Sequence, residues 1–441
     1  MGVEVERVTK LKPLQSLTFE EGEVKEKVLS EYEIGLSTIK IVDIAGRGYY
    51  IVKEPRLSED GWKAYRLIID RLLKYMKPPE RVEDPASIIE ESMWRIARES
   101  KIEKLLENNY EVVRYYILRD LVGYGKIDVL MKDPHVEEIA VEGPNIPVAI
   151  IHRDFPNYRW LDTNIAFYGE HEIRSFVQRL ALRGGRSIST AKPIVEVKLP
   201  EGHRAALTYS SEVSGRGSSF VIRKFPEKPL TITHLITANT LNPIEAAYLW
   251  MLIEAQLLIF IIGPMASGKT TLLQALTSLI PPDSRVITVE DSPELRLYHE
   301  HWDPLYTRRS FYRNVGEYDI TLEDLVKFAW RRRAEYIIVG EVRGSEVQAL
   351  VQAAASGHGG LTTFHADSVK SMVLRLQSPP LNVSDAFISS ISCVVTVRRA
   401  RSLKSGQAVR RAIEIHEFND TVFKSDFWVK VFEWNPVDDE H

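Results

Sequence analysis

The chain has 441 residues, 44% hydrophobic and 27% charged, enough for two or three globular cores and unlike a mainly disordered or collagen-like protein. Its 57 basic and 61 acidic side chains leave a formal charge of −4, so no overall attraction to nucleic acid or anionic lipid is written into the balance. A single cysteine, Cys393, excludes an internal disulfide framework and a cysteine-based zinc ribbon, and apolar runs such as Leu257 to Ile262 fall far short of the roughly 20 residues of a membrane span. With no signal-peptide core at the Lys/Glu-rich N-terminus, the expected location is cytoplasmic, in a reducing compartment.

In chain order, the first 30 or so residues show no clear periodicity and read as a mobile arm, a partner-binding tail or ordinary N-terminal fraying. From about Trp62 to Val122 the apolar spacing is helical, as in Tyr110, Val113, Tyr116, Ile117 and Leu121, while Val136 to Ile151 and Ala205 to Ile222 have the character of strands. The front half is therefore expected to be α+β. Arg223 to Pro229, with two prolines and four charges, reads as a linker. The expected division is an N-terminal domain over 1–225, a linker over 226–234 and a C-terminal domain over 235–441.

The second half alternates apolar strands with helical segments: Leu257 to Ile262, a Gly-rich turn, a helix from about Lys269 to Leu279, a strand at Val286 to Val289, and a strand at Tyr336 to Val339. Between these, Thr321 and Asp324 form a capping-box pattern ahead of a helical face of Leu322, Leu325, Val326 and Ala329. Strand-like runs at Ser392 to Val397, Ala408 to His416 and Phe427 to Phe432 follow, with Ser405-Gly406 turning one hairpin. The fold class expected is α/β with a mostly parallel sheet in the C-terminal domain.

Gly263-Pro264-Met265-Ala266-Ser267-Gly268-Lys269-Thr270 is a full Walker A motif between a buried strand and a helix, with Thr271 continuing into that helix. Backbone N–H groups and the helix N-terminus converge on an anion, Lys269 reaches the β- and γ-phosphates, and Thr270 can hold Mg²⁺. Strand Tyr336 to Val339 runs into Gly340-Glu341, so a glutamate takes the Walker B position and is placed to order Mg²⁺ or its waters. Strand Val286 to Val289 likewise ends in Glu290-Asp291, at the edge where ligands of α/β sheets gather. For each glutamate the alternative is a surface carboxylate ending a strand; Asp291 and Glu294 are candidates to cap the next segment.

His358 and His365 bracket a glycine turn and a strand. They suit a γ-phosphate sensor coupled to that strand, or else they are structural; about 20 Å apart on an extended strand, they do not suit one zinc ion. No guanine-specificity Asn-Lys-x-Asp is present, and no lid or acceptor pocket of a small-molecule kinase is readable. Arg331-Arg332-Arg333 ends a helix, where cations favour the macrodipole. Arg204 and Arg223, on predicted strands before the linker, either reach the phosphates as the charge of phosphoryl transfer develops or pair with carboxylates such as Glu196 or Glu212.

These segments together resemble the secretion ATPase superfamily, the motors of type II secretion, type IV pili, type IV secretion and the archaellum, from roughly Tyr124 to Phe418. The Walker A box matches Gly263 to Thr270, the Asp box Thr288 to Asp291, the atypical Walker B box Ile338 to Gly344, and the His box Gly357 to His365. Leu199 to Arg204, Ser218 to Phe225, Leu249-Trp250 and His299 to Trp302 are similar to the archaeal and tight-adherence branch, and the four-cysteine zinc insertion of many bacterial relatives is absent. The resemblance implies a RecA-like C-terminal domain, ATP and Mg²⁺ as ligands, and a homo-hexameric ring whose front domain closes over ATP. It further implies a polytopic membrane platform protein as partner and peripheral attachment at the inner face of the cell membrane. The machine served would be an archaeal pilus, an archaellum or a secretion system. Glu290 is the preferred general base and Glu341 orders Mg²⁺ and water. The rival of a different class is a nucleic-acid-coupled motor, against which the near-neutral charge and the lack of aromatic-basic stripes argue, so no direct nucleic-acid contact is expected.

Overall fold

The computed structural model describes residues 26–75, 85–225, 229–308, 319–404, 406, 408–418 and 428–441. The chain divides into two compact units, Met1–Phe225 and Pro226–His441. Residues 1–25 of the expected arm, 226–228 of the linker, Ser405 of the expected turn and Phe427 lie outside the described residues.

Nine strands of the first unit form one sheet among the described residues: β1 (Glu26–Ile34), β2 (Ser37–Ile44), β3 (Arg47–Lys53), β4 (Val136–Val141), β5 (Pro147–His152), β6 (Leu161–Ala166), β7 (Ile194–Lys198), β8 (Arg204–Thr208) and β9 (Ser219–Arg223). Their spatial order is β1-β2-β3-β6-β5-β4-β9-β8-β7, antiparallel throughout except where β3 meets β6. Strand β1 takes in residues 26–30 of the expected arm, a correction, and β2 and β3 fill a stretch for which no element is expected from the sequence. Two-residue loops join them, and Ala45 and Gly46 both hold positive φ, as a tight hairpin turn demands. Ile39, Ile41 and Tyr50 then bury one face against the sheet core. Helices Glu59–Tyr75, Pro85–Glu99, Glu103–Asn108 and Tyr110–Leu121 supply the predicted helical stretch and share a separate core around Met93, Leu106, Val113 and Ile117. Helix Glu170–Arg183, not anticipated, covers the sheet with Ile173, Phe176, Val177 and Leu180.

The second unit holds β10 (Leu258–Ile262), β11 (Val286–Glu290), β12 (Trp302–Tyr306), β13 (Tyr336–Val342), β14 (Gly359–Phe364), β15 (Ile391–Arg401), β16 (Ala408–Phe418) and β17 (Trp428–Glu433). Their order is β12-β11-β13-β14-β10-β15-β16-β17, parallel from β12 to β15 and antiparallel thereafter. Helices cover both faces, so consecutive residues of β10 enter opposite cores: Phe260 and Ile262 on one side, Ile259 and Ile261 on the other. Burying each such side chain stabilises the fold by about 1.5–3 kcal/mol. The capping box forms as predicted, with Asp324 accepting the Thr321 N–H at 3.0 Å and Thr321 accepting the Asp324 N–H at 3.2 Å. Leu322, Leu325, Val326 and Ala329 are all buried.

One feature of this sheet positions the site. Ile262 pairs with Phe364 of β14 and with Thr396 of β15. The chain leaving β10 therefore emerges beside His365 on one flank and Val397 on the other. Strands β14, β13 and β11 extend to one side and β15 and β16 to the other, a topological switch point of the kind at which α/β sheets bind ligands.

Candidate active site

The loop after β10 is built for close backbone approach. A Cβ on Gly263 would fall 2.2 Å from the carbonyl oxygen of Val397 and 2.8 Å from the Ser267 hydroxyl, and Gly268 holds φ +102° as the loop enters helix Lys269–Thr277. No side chain caps that helix, so its leading N–H groups face the loop without intrahelical partners. The Ser267 Oγ is buried and has no hydrogen-bond partner. An uncapped N-terminus and an orphaned hydroxyl inside a strained loop fit a bound anion rather than a closed turn.

Lys269, buried, donates to the carbonyls of Gly263 at 3.0 Å and Pro264 at 2.8 Å, and lies 3.3 Å from Nδ1 of His365. Because an ammonium only donates, Nδ1 accepts and the ring proton sits on Nε2. That nitrogen lies 2.5 Å from Oε1 of Glu341, whose other oxygen receives Arg343. Lys269, His365, Glu341 and Arg343 thus form one polar chain along the ends of β10, β14 and β13. Burial, followed by the neighbouring Lys269, holds His365 below the ordinary imidazole pKa, consistent with a neutral ring. Burial also lowers Lys269, while the charge of Glu341 opposes that shift.

Glu290 ends β11 fully buried. One carboxylate oxygen accepts the N–H groups of Glu294 at 2.8 Å and Leu295 at 3.0 Å, so the chain turns around it. Its stem lies on Gly340, where an added Cβ would stand 3.1 Å from its Cγ. Glu290 and the Glu341 strand end are therefore neighbours. Burial and then the charge of Glu290 push the Tyr306 phenol up to about 12. Asp291 accepts from the Thr307 hydroxyl at 3.1 Å.

The structure parts the two sequence-predicted histidines and adds two supports. His358 stands at the amino end of β14, where its Nδ1–H donates to the Ala334 carbonyl at 2.7 Å, at the opposite end of the strand from the phosphate loop. It ties the turn to the start of β13. Glu346, missed in the sequence, is buried and accepts the N–H of Gly344 at 2.7 Å and that of Arg343, which fixes the turn after Glu341. Its position at the start of helix Glu346–Ala355 was the only sequence signal. Thr363 Oγ1 donates to the Gly340 carbonyl at 2.8 Å and locks β14 to β13 beside the acids.

Arg204 and Arg223 lie directly opposite each other on β8 and β9 of the first unit. Arg204 pairs with Glu196 at 2.7 Å, the alternative partner expected for it, in an exposed contact worth well under about 1 kcal/mol. On the other side of Arg223, β4 places Glu138 opposite.

Residues 127–425 match the family of Type II/IV secretion system proteins. The chain belongs to that family. It is a member of the secretion ATPase superfamily, as its four boxes implied. The Methanocaldococcus jannaschii protein MJ0900 is 36% identical over 417 residues, covering 89% of this chain and 74% of that protein. Conjugal transfer protein TrbB of Rhizobium radiobacter is 27% identical over 252 residues, 55% of this chain and 74% of its own length. Among solved structures, the ATPase DotB of Legionella pneumophila is similar with a TM-score of 0.47 at 21% identity, over 66% of this chain and 78% of that one. No helix among the described residues is long and apolar enough to cross a membrane.

Proposed function

We propose that this secretion ATPase is a Mg²⁺-ATP-hydrolysing motor that works as a hexameric ring on a membrane platform protein, peripheral at the inner face of the cell membrane. It drives an archaeal pilus, an archaellum or a secretion system; the archaeal relative MJ0900 supports that branch. The observation that carries the reading is the polar chain from Lys269 through His365 to Glu341 at the mouth of the phosphate loop. It joins the phosphate-binding cation to the acid at the Walker B position.

When ATP enters, Gly263 to Thr271 wrap the phosphates, and Lys269 leaves its carbonyl clasp to meet the β- and γ-oxygens. His365 then loses its contact with Lys269, and Glu341 responds through the same ring. Glu290, anchored by two backbone N–H groups beside Gly340, is the general base that takes a proton from the attacking water. Mg²⁺ would neutralise phosphate oxygens. Thr270 is the side chain that would hold it, and Glu341, now paired with Arg343, would order its water. Arg204 and Arg223 are the further cations proposed to act as charge develops in phosphoryl transfer, Arg204 by exchanging its Glu196 partner.

The test is Mg²⁺-ATP turnover measured across protein concentrations, with and without single-stranded DNA and phospholipid vesicles. Activity should fall on dilution as rings dissociate and should not require DNA. Concentration-independent turnover by a monomer would remove the ring, and strict dependence on DNA would favour a nucleic-acid motor instead.

A further inference from the structure

The carboxyl edge of the sheet carries a cation that the site above does not use. Arg410 lies in β16, and its Cδ is 3.2 Å from the position a Cβ would take on Gly268, so its stem packs against the phosphate loop one residue before Lys269. The guanidinium is exposed, and among the described residues it makes no hydrogen bond or ion pair. Its neighbours are all committed. Arg411 grips both oxygens of Asp439 at 2.8 Å, Arg398 donates to the Asp367 carbonyl at 2.7 Å, and Arg401 donates to the Gly406 carbonyl at 2.8 Å. Arg399, directly across the ladder from Arg410, has a partner of its own.

Strand order gives the direction of that anion. Glu290, Glu341 and His365 end β11, β13 and β14, all on one side of β10, whereas Arg410 belongs to β16 on the other side. With Lys269 and the carboxylates serving the γ end, the nucleotide leaves the loop toward β16. We propose that Arg410 is a nucleotide-binding residue that pairs with the α-phosphate of the bound nucleoside triphosphate or diphosphate. A planar guanidinium matches two phosphate oxygens at once, and it sits where neither Lys269 nor the carboxylates reach.

The inference rests on the phosphate loop's binding ATP, and calorimetric titration of the full chain separates the two. Wild type, Arg410→Ala, Arg410→Gln, Arg410→Lys and Lys269→Ala are each titrated with Mg²⁺-ATP and Mg²⁺-ADP, with thermal unfolding recorded alongside. Arg410→Ala and Arg410→Gln should weaken ATP and ADP by the same factor, about tenfold or more, with unfolding unchanged and partial recovery in Arg410→Lys. Wild-type affinity for both nucleotides in Arg410→Ala, while Lys269→Ala loses binding, would overturn the Arg410 assignment alone. A loss confined to ATP would move the contact to the γ-phosphate and overturn the α-phosphate assignment. Failure of wild type itself to bind ATP would overturn both readings.

Discussion

At the amino end of β14 the His358 ring is spent on a backbone carbonyl, that of Ala334 at 2.7 Å, whereas at the carboxyl end His365 stands between Lys269 and Glu341. The two residues are the same in kind and bracket one strand, yet only His365 stands between two ionisable side chains. The difference follows from a parallel sheet. All strands from β12 to β15 point their carboxyl ends the same way, so loops, helix N-termini and strand-ending acids accumulate at one edge, while the amino edge holds the turns that bring the chain back. Ionisable groups gather at the first edge, and the turn at the second is fastened by a hydrogen bond to the backbone.

The sharpest attempt to break that contrast is Lys269→Ala. It removes the only cation that the loop itself places on the phosphates, and ATP binding and turnover should fall below detection. Near-normal hydrolysis would show that the loop is not the site. A smaller loss is expected of Glu341→Gln, which weakens both the link to His365 and the ordering of Mg²⁺ and water. Turnover should drop by about tenfold or more, and the Mg²⁺ concentration for half-maximal rate should rise. A reduced rate with wild-type Mg²⁺ dependence would leave Glu341 with no part in holding the ion.

His365 sharpens the contrast through pH. Its folded pKa lies below the ordinary value of 6.5, so the ring stays neutral where the unfolded chain begins to take up a proton. The stability this confers is present above 6.5 and is lost as pH falls below it toward the folded value. Protonation also removes the acceptor facing Lys269. His365→Gln should therefore flatten the acid side of the stability profile; His152 and His416, whose pKa values burial also lowers, would retain their share of the slope. An unchanged profile in the variant would mean that the ring titrates as it does in the unfolded chain. Smallest of all is His358→Ala, which loses one hydrogen bond. It should cost about 1 kcal/mol in denaturant unfolding and leave ATP affinity and turnover alone. A turnover defect larger than the stability loss explains would return His358 to the site.

Legibility in the sequence followed burial. Strands β10, β11 and β13 are covered on both faces and read as continuous apolar runs ended by Gly263, Glu290 and Glu341, so both strands and site could be recognised together. The first-unit meander was lost because β1 exposes most of its residues and alternates charge with apolar groups in the manner of a tail. The Ala45-Gly46 turn between alternating runs was the available signal. Edge strand β12 escaped because Pro304 interrupts it and all five residues are only half-buried. The two histidines looked equivalent because sequence gives separation along a strand but not which end faces the loop. Arg410 falls within the strand-like run Ala408 to His416 and nothing in the sequence singles it out; its place beside Gly268 exists only once β16 is folded back along β15.

Glu290→Gln tests the central claim most directly, with ATP affinity and steady-state turnover measured on the same preparation. The amide keeps the shape and can still accept the N–H groups of Glu294 and Leu295, but it cannot take a proton from water. ATP affinity should stay within about twofold of wild type, while turnover falls by roughly 10²-fold or more. Full turnover in this variant would contradict hydrolysis at the carboxyl edge with Glu290 as its base.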